Sequence, residues 1–260
     1  DVAIALDADT GKERWLYDPK VGKNINRQHQ TCRGVTYDEP ASAAGDASCR
    51  TRILLPTSDA RLIALDAETG KVCDNFADHG VIDLKANMPD LTPGFYYSTS
   101  PVVVARGLII VGGAVNDNVS TQEPSGVIRA YDESTGRLVW NWDSGKPDET
   151  QPIGAGATYT HNSPNSWSIL SADTDLGLVY VPMGNSPPDQ FGGDRDENTE
   201  KYSSSIVALD ILTGQARWVF QAVHHDLWDM DMPAQPELID WRGPDGIVPA
   251  LLQPTKQGDI

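Results

Sequence analysis

The sequence is short of basic residues. Twenty Lys and Arg stand against 37 Asp and Glu in 260 residues, a formal net charge of −17. That imbalance argues against nucleic acid or an anionic membrane surface as a partner, because either would repel the chain. Long apolar runs are also missing: no stretch approaches the ~20 residues that cross a bilayer as a helix. No signal peptide is legible at Asp1, so any export or anchoring segment would have to lie outside this sequence. Cysteine is scarce. Cys32, Cys49 and Cys73 lack C-x-x-C spacing, which speaks against a zinc site. Cys32 and Cys49 flank a soft loop, Pro40 to Ser48, and could pair in an oxidising compartment; the odd count leaves at least one thiol unpaired within the chain. Sustained helical periodicity is absent as well, while 23 Gly and 18 Pro supply many turns.

What the chain does have is a phrase used four times. It reads Ala5-Leu6-Asp7-Ala8-Asp9-Thr10-Gly11 with Trp15, and Ala64-Leu65-Asp66-Ala67-Glu68-Thr69-Gly70 with Asp74 where the Trp would stand. It returns as Ala130-Tyr131-Asp132-Glu133-Ser134-Thr135-Gly136 with Trp140, and as Ala208-Leu209-Asp210-Ile211-Leu212-Thr213-Gly214 with Trp218. Each copy has the chemistry of a hairpin: Asp bonds nearby amides, Gly takes positive φ, and a second strand carries the Trp. Strand-like runs precede the last three copies, at Ile53-Leu54-Leu55, Leu108-Ile109-Ile110-Val111 and Leu178-Val179-Tyr180-Val181. Three or four short strands per unit predict an all-β propeller whose repeats are blades. A blade cannot bury both faces alone. We read the chain from 1 to 260 as one continuous, partial propeller of about four blades, the others coming from beyond its ends or from another chain.

The spacing of the repeat is uneven. The tight turn Pro56-Thr57-Ser58-Asp59-Ala60-Arg61 of the second unit expands in the third from Gly112 to Ser125, including Asp117 and Asn118. In the fourth it expands again, from Asn185 to about Ser203. Matching turns of successive blades share one end of a propeller, so these insertions should crowd one face as binding loops do, unless they are only decoration.

Four polar groups fall outside the repeat: His29-Gln30-Thr31-Cys32-Arg33-Gly34, Asn162-Ser163-Pro164-Asn165-Ser166-Trp167, His224-His225-Asp226-Leu227-Trp228-Asp229-Met230-Asp231, and Lys256. Taken singly, each has a plain structural explanation: a satisfied loop histidine, a core aromatic, a solvated acidic turn. Adjacent His224 and His225 would point to opposite faces of a strand and rarely chelate one ion. Together, a mixed set of acid, base and aromatic residues looks like a cofactor pocket.

These residues resemble the pyrroloquinoline quinone (PQQ)-dependent dehydrogenases, eight-bladed propellers marked by the blade phrase A-x-D-x-x-T-G-x-x-x-W. Three full copies match it, and the resemblance runs along essentially the whole chain, covering about half of such a ring. The clusters at 29–34, 162–167 and 224–233 are closest to the membrane-bound quinoprotein glucose dehydrogenase and quinate dehydrogenase subgroup. The alcohol branch carries adjacent cysteines, which this chain lacks.

The resemblance implies Asp229 as catalytic base, Lys256 as a donor to the quinone carbonyls, and Trp167 as the aromatic stacked on the cofactor. It implies His29, Arg33 and Thr99 as further cofactor contacts, and Asp117, Asn118 and Asn185 as ligands of Ca2+ or Mg2+. A planar tricarboxylate suits Arg33 in an otherwise acidic chain, and a hard divalent ion suits Asp and Asn oxygens. The implied function is oxidation of a sugar or polyol, glucose to gluconolactone first and quinate, shikimate or another polyol as the alternative. Electrons would pass to ubiquinone at the periplasmic face of a bacterial inner membrane. A rival from another class is a non-catalytic envelope-assembly scaffold with the same blade phrase, which needs no Lys256, Asp117 or Trp167 platform.

Overall fold

In the computed structural model, residues 1–30, 32–40, 48–89, 91–244 and 246–260 are described. Thr31 of the first polar cluster and residues 41–47 of the loop between Cys32 and Cys49 lie outside them.

The four repeat phrases each form a hairpin turn. Asp7 Oδ1 accepts from both the amide (2.9 Å) and the hydroxyl (2.7 Å) of Thr10, and Asp66–Thr69, Asp132–Thr135 and Asp210–Thr213 repeat the pair. Gly11, Gly70, Gly136 and Gly214 follow at φ +68°, +69°, +70° and +70°, where a β-carbon is disfavoured. Each phrase therefore encodes its own turn.

Strands extend from these turns. β1 (Ala3–Leu6) pairs with β2 (Glu13–Tyr17) as an antiparallel hairpin. Next come β3 (Thr36–Asp38), β4 (Arg52–Pro56), β5 (Arg61–Asp66) and β6 (Val81–Asp83), which form a four-stranded antiparallel sheet in chain order. The third unit holds β7 (Tyr96–Tyr97), β8 (Val103–Ala105), β9 (Leu108–Val111), β10 (Ala114–Val115), β11 (Ile128–Asp132) and β12 (Leu138–Trp142). Its main sheet runs β8-β9-β11-β12, while β10 leaves through the insertion to pair with β7. The fourth sheet is β13 (Ser171–Asp173), β14 (Leu178–Pro182), β15 (Ser205–Asp210) and β16 (Ala216–Gln221). A short helix, α1 (Glu197–Tyr202), capped by Asp196, fills part of its insertion. A last hairpin joins β17 (Glu237–Gly243) to β18 (Gly246–Leu252).

The sheets pack face to face in sequence. Leu54 and Leu62 of one sheet meet Ile109, Val111 and Tyr131 of the next, and Ile110 and Trp140 of that sheet meet Val179, Val207 and Leu209 of the third. Burying each such aliphatic side chain contributes about 1.5–3 kcal/mol, which ties every sheet to its neighbour. This is the blade-on-blade packing of a β-propeller.

The repeated Trp is the pin between blades. Trp15 Nε1 donates to Ala67 O at 2.9 Å and Trp140 Nε1 to Ile211 O at 2.8 Å, each reaching the turn of the next repeat. The second copy has no Trp. There Ala77 donates its amide to Thr135 O at 3.2 Å, and Phe76 is buried against Gly136. Trp218, in the fourth copy, is 40% exposed beside Phe220.

The cysteine expectation is overturned. Cys49 pairs with Cys73, Cα atoms 5.7 Å apart, and Cys32 is the free thiol. The reason lies in the second repeat turn. Cys49 donates its amide to Asp66 Oδ2 at 2.8 Å, and Cys73 bonds its amide to Ala64 O, so both are drawn to the same hairpin. Cys32 is held elsewhere, its thiol at 3.5 Å from Gly34 O.

Candidate functional site

The interruptions of the repeat converge. A cavity of about 240 Å³ is lined by His29, Arg33, Tyr97, Thr99, Asp117, Asn165, Trp167, Asn185, Asp189, Asp229, Asp231 and Lys256, with Ala114 and Val115. Eight of the nine candidate residues from the sequence are among them. Asn118 is not: its amide donates to Asp189 Oδ2 at 3.5 Å and its Oδ1 accepts from Gln190 N, so it ties one insertion to the other.

Trp167 is the best-anchored member. Its carbonyl accepts from the hydroxyls of Thr99 and Ser100, both at 2.6 Å, and its indole Nε1 donates to Asp231 Oδ2 at 2.5 Å. Arg33 is fastened to the same loop through Thr99 O at 3.1 Å, with its guanidinium 5.0 Å from the indole centroid. The Lys256 ammonium lies 5.8 Å from that ring. Two cations beside an aromatic plane suit a flat anion. Thr99 is buried, and its hydroxyl proton is committed to Trp167.

Asp229 owes its place to Asp226, which the sequence reading had not singled out for a role. Asp226 is fully buried and accepts from Trp228 N (2.9 Å), Met230 N (2.7 Å) and Ser204 Oγ (2.6 Å). That carboxylate knots the segment into a turn in which Asp229 adopts φ +60°. Lys256 then donates to both Asp229 Oδ1 and Asp229 O at 2.9 Å, and forms an ion pair with Asp231. His224 and His225 turn away, to Gln221 and Glu200.

Asp117, also in the lining, accepts through Oδ1 from Gln28 Nε2 at 2.9 Å. Asn185 donates to the carbonyls of Asp189 and Asp226, both at 3.0 Å. Asn165 and Asp231 stand in polar clusters legible in the sequence but receive no individual role there, and Asp189 and Tyr97 carry no pattern that marks them.

The site is electrostatically strained. Burial, and then the carboxylates of Asp117, Asp229 and Asp231, push Asp189 up to about 8. Burial pushes Asp231 up to about 6 against the pull of Lys256 and Trp167. Burial alone would lower Lys256, but Asp231 and Asp229 outweigh it and hold the ammonium above its ordinary value. A cation among these oxygens would relieve the crowding. Asn165 Oδ1 is buried, lines the cavity and has no partner, as expected of an oxygen awaiting an ion or a donor. No group of three or more His, Cys, Asp and Glu among the described residues could hold a metal, so asparagine oxygens would have to contribute. The donor set fits a hard divalent ion, and the Trp167–Arg33–Lys256 wall fits a planar polyanion.

Comparison with known proteins identifies the family of the fold. The family model "PQQ: Glucose/ethanol/alcohol dehydrogenase, beta-propeller domain" matches residues 1–260. The quinoprotein glucose dehydrogenase of Escherichia coli (strain K12) is 49% identical over 261 residues, covering 99% of this chain and 33% of that protein. The quinate/shikimate dehydrogenase (quinone) of Acinetobacter baylyi is 38% identical over 275 residues, covering 99% of this chain and 34% of that protein. The chain thus spans about a third of the length of these relatives. The structure of quinohemoprotein alcohol dehydrogenase from Comamonas testosteroni aligns with TM-score 0.72 at 23% identity, over 99% of this chain and 37% of that one, which establishes the fold alone. A propeller of interlocked Asp-Thr-Gly-Trp blades and a family match along its whole length lead to one conclusion: the chain belongs to the PQQ-dependent glucose/ethanol/alcohol dehydrogenase β-propeller family.

Proposed function

We propose that the chain is about four consecutive blades of a larger propeller and carries much of the active site of a quinoprotein dehydrogenase. The observation that carries this reading is that Asp229, Lys256, Trp167, Arg33 and Asp117, drawn from separate parts of the chain, line one cavity. A scaffold propeller would have no need to converge them.

In this reading Trp167, Arg33 and Lys256 would hold the quinone, the indole as an aromatic platform and the two cations as partners for its oxygens, with His29 and Thr99 lining the same cavity. Asp117 and Asn185, joined through Asn118 to the Asp189 loop, would hold Ca2+ or Mg2+. When bound, the quinone with its ion supplies the two-electron acceptor, chemistry that protein side chains lack. Asp229 accepts the proton of the substrate hydroxyl. Lys256 fixes the Asp229 carboxylate through Oδ1, which leaves Oδ2 to reach the hydroxyl.

Glucose leads as substrate because the 49%-identical relative is named for it, and quinate or another polyol follows. Ubiquinone as acceptor and a periplasmic setting belong to the same proposal; the Cys49–Cys73 disulfide supports an oxidising compartment. Among the described residues no helix is long and apolar enough to cross a membrane.

The test is Asp229→Asn in the complete protein. It should bind quinone as wild type does and lose turnover with glucose, quinate and polyols in a dye-reduction panel. Full turnover would remove Asp229 as base. Failure of the folded wild type to bind quinone with Ca2+ or Mg2+ would favour the scaffold.

A further inference from the structure

Asp231 stands two residues beyond Asp229 and is only 5% exposed. Its two carboxylate oxygens do different things: Oδ2 accepts the indole N–H of Trp167 at 2.5 Å, and Oδ1 pairs with the Lys256 ammonium. The backbone beneath it is fixed from both sides. Met230 N is tied to Asp226 at 2.7 Å, and Met232 N donates to Met183 O at 3.1 Å. Gly184 gives the carboxylate room, since a β-carbon there would lie 3.3 Å from Asp231 Oδ2. One buried, rigidly mounted anion thus reaches the aromatic wall and the ammonium together.

We infer that Asp231 is a positioning residue, setting the plane of the Trp167 indole and the reach of the Lys256 ammonium so that both meet the same ligand face. This rests on the proposed function. A buried charged acceptor fixes a donor's direction more firmly than a neutral one, because leaving it unpaired is costly. Asp231 contacts neither end of the substrate's reacting bond in this scheme; it acts through its two neighbours.

The experiment uses the complete protein with Ca2+ held constant. Asp231→Asn and Asp231→Ala are made in the wild-type and Trp167→Phe backgrounds, and PQQ affinity is read from quenching of intrinsic fluorescence. Asp231→Ala should weaken binding about tenfold or more, the loss of a charge-assisted hydrogen bond. Asp231→Asn should lose less, because its amide oxygen still accepts the indole N–H. In the Trp167→Phe background, which has no indole donor, the gap between Asn and Ala should narrow to what the Lys256 contact alone maintains. A gap of equal size in both backgrounds, or unchanged affinity in every Asp231 variant, would overturn the inference while leaving the proposed function standing. Absence of quinone binding by the folded wild type would overturn both. Should Asp231→Ala not fold, the isosteric Asp231→Asn decides the matter through the 15N–1H indole signal of Trp167, identified by its loss in Trp167→Phe. The signal should shift when the acceptor loses its charge, and an unmoved signal would overturn the inference.

Discussion

The indole of Trp15 lies so close to Gly70 that a β-carbon at that glycine would come within 2.6 Å of the ring. Trp140 has the same relation to Gly214, again at 2.6 Å. The glycine of one repeat is thus required twice, by its own turn at φ +69° and by the tryptophan of the preceding repeat. A blade phrase is complete only in the presence of its neighbour.

Gly70→Ala should therefore cost more than Gly11→Ala, where φ is +68° but nothing lies within 4 Å. The left-handed backbone costs either variant about 1 kcal/mol. Overpacking against Trp15 adds about 1–3 kcal/mol at Gly70. Urea unfolding midpoints check the order, and equal losses would show that the indole moves aside freely.

The disulfide gives a second prediction. Cys49→Ser with Cys73→Ser should lower stability by about 2–4 kcal/mol, and reductant should do the same to wild type. Cys32→Ser should not alter the response to reductant. Thermal unfolding with and without dithiothreitol measures both.

A third concerns acid. Burial pushes Asp66 up, but the Thr69 hydroxyl and the amides of Cys49 and Thr69 prevail and hold it below its ordinary 3.8. A depressed carboxylate contributes stability above its unfolded pKa and loses it as pH falls through the folded value. Thr69→Val should therefore destabilise the protein at pH ~7, with the difference shrinking below pH ~4 as Asp66 protonates in both states. A pH-independent difference in denaturant midpoint would contradict this.

Metal removal supplies a fourth. Chelation should weaken PQQ binding, and Ca2+ or Mg2+ should restore it. Asp117→Ala should raise the ion concentration needed by at least about tenfold. An unchanged ion requirement, read by quinone titration across a metal series, would place the ion elsewhere.

Local grammar was legible and distant pairing was not. The Asp-x-x-Thr-Gly turns follow from residues three or four apart, so their positions and strands were correctly anticipated from the sequence. The inserted loops were legible as interruptions, and Asp117, Asn185, Trp167, Asp229 and Lys256 indeed meet at one cavity. Asn118 does not line the cavity itself; its amide donates to Asp189 Oδ2, which does. Loop proximity offers Cys32 as one possible partner for Cys49, whereas the hairpin turn at Asp66 brings Cys49 to Cys73. The use of Phe76 and Ala77 in place of the missing tryptophan could not be seen in a sequence that shows only Asp74 at that position.

By itself, then, the sequence determined the turns, the strands and the repeat, because Asp–Thr hydrogen bonding and glycine's positive φ are short-range effects. It also determined the acidic character and the residue types available for chemistry. Tertiary structure alone decided that Trp167 donates its indole N–H to Asp231, 64 residues away, at 2.5 Å, and that Asp189 sits buried among three other carboxylates. The physical reason is that burial and charge density belong to the assembled blades. No residue carries them in isolation.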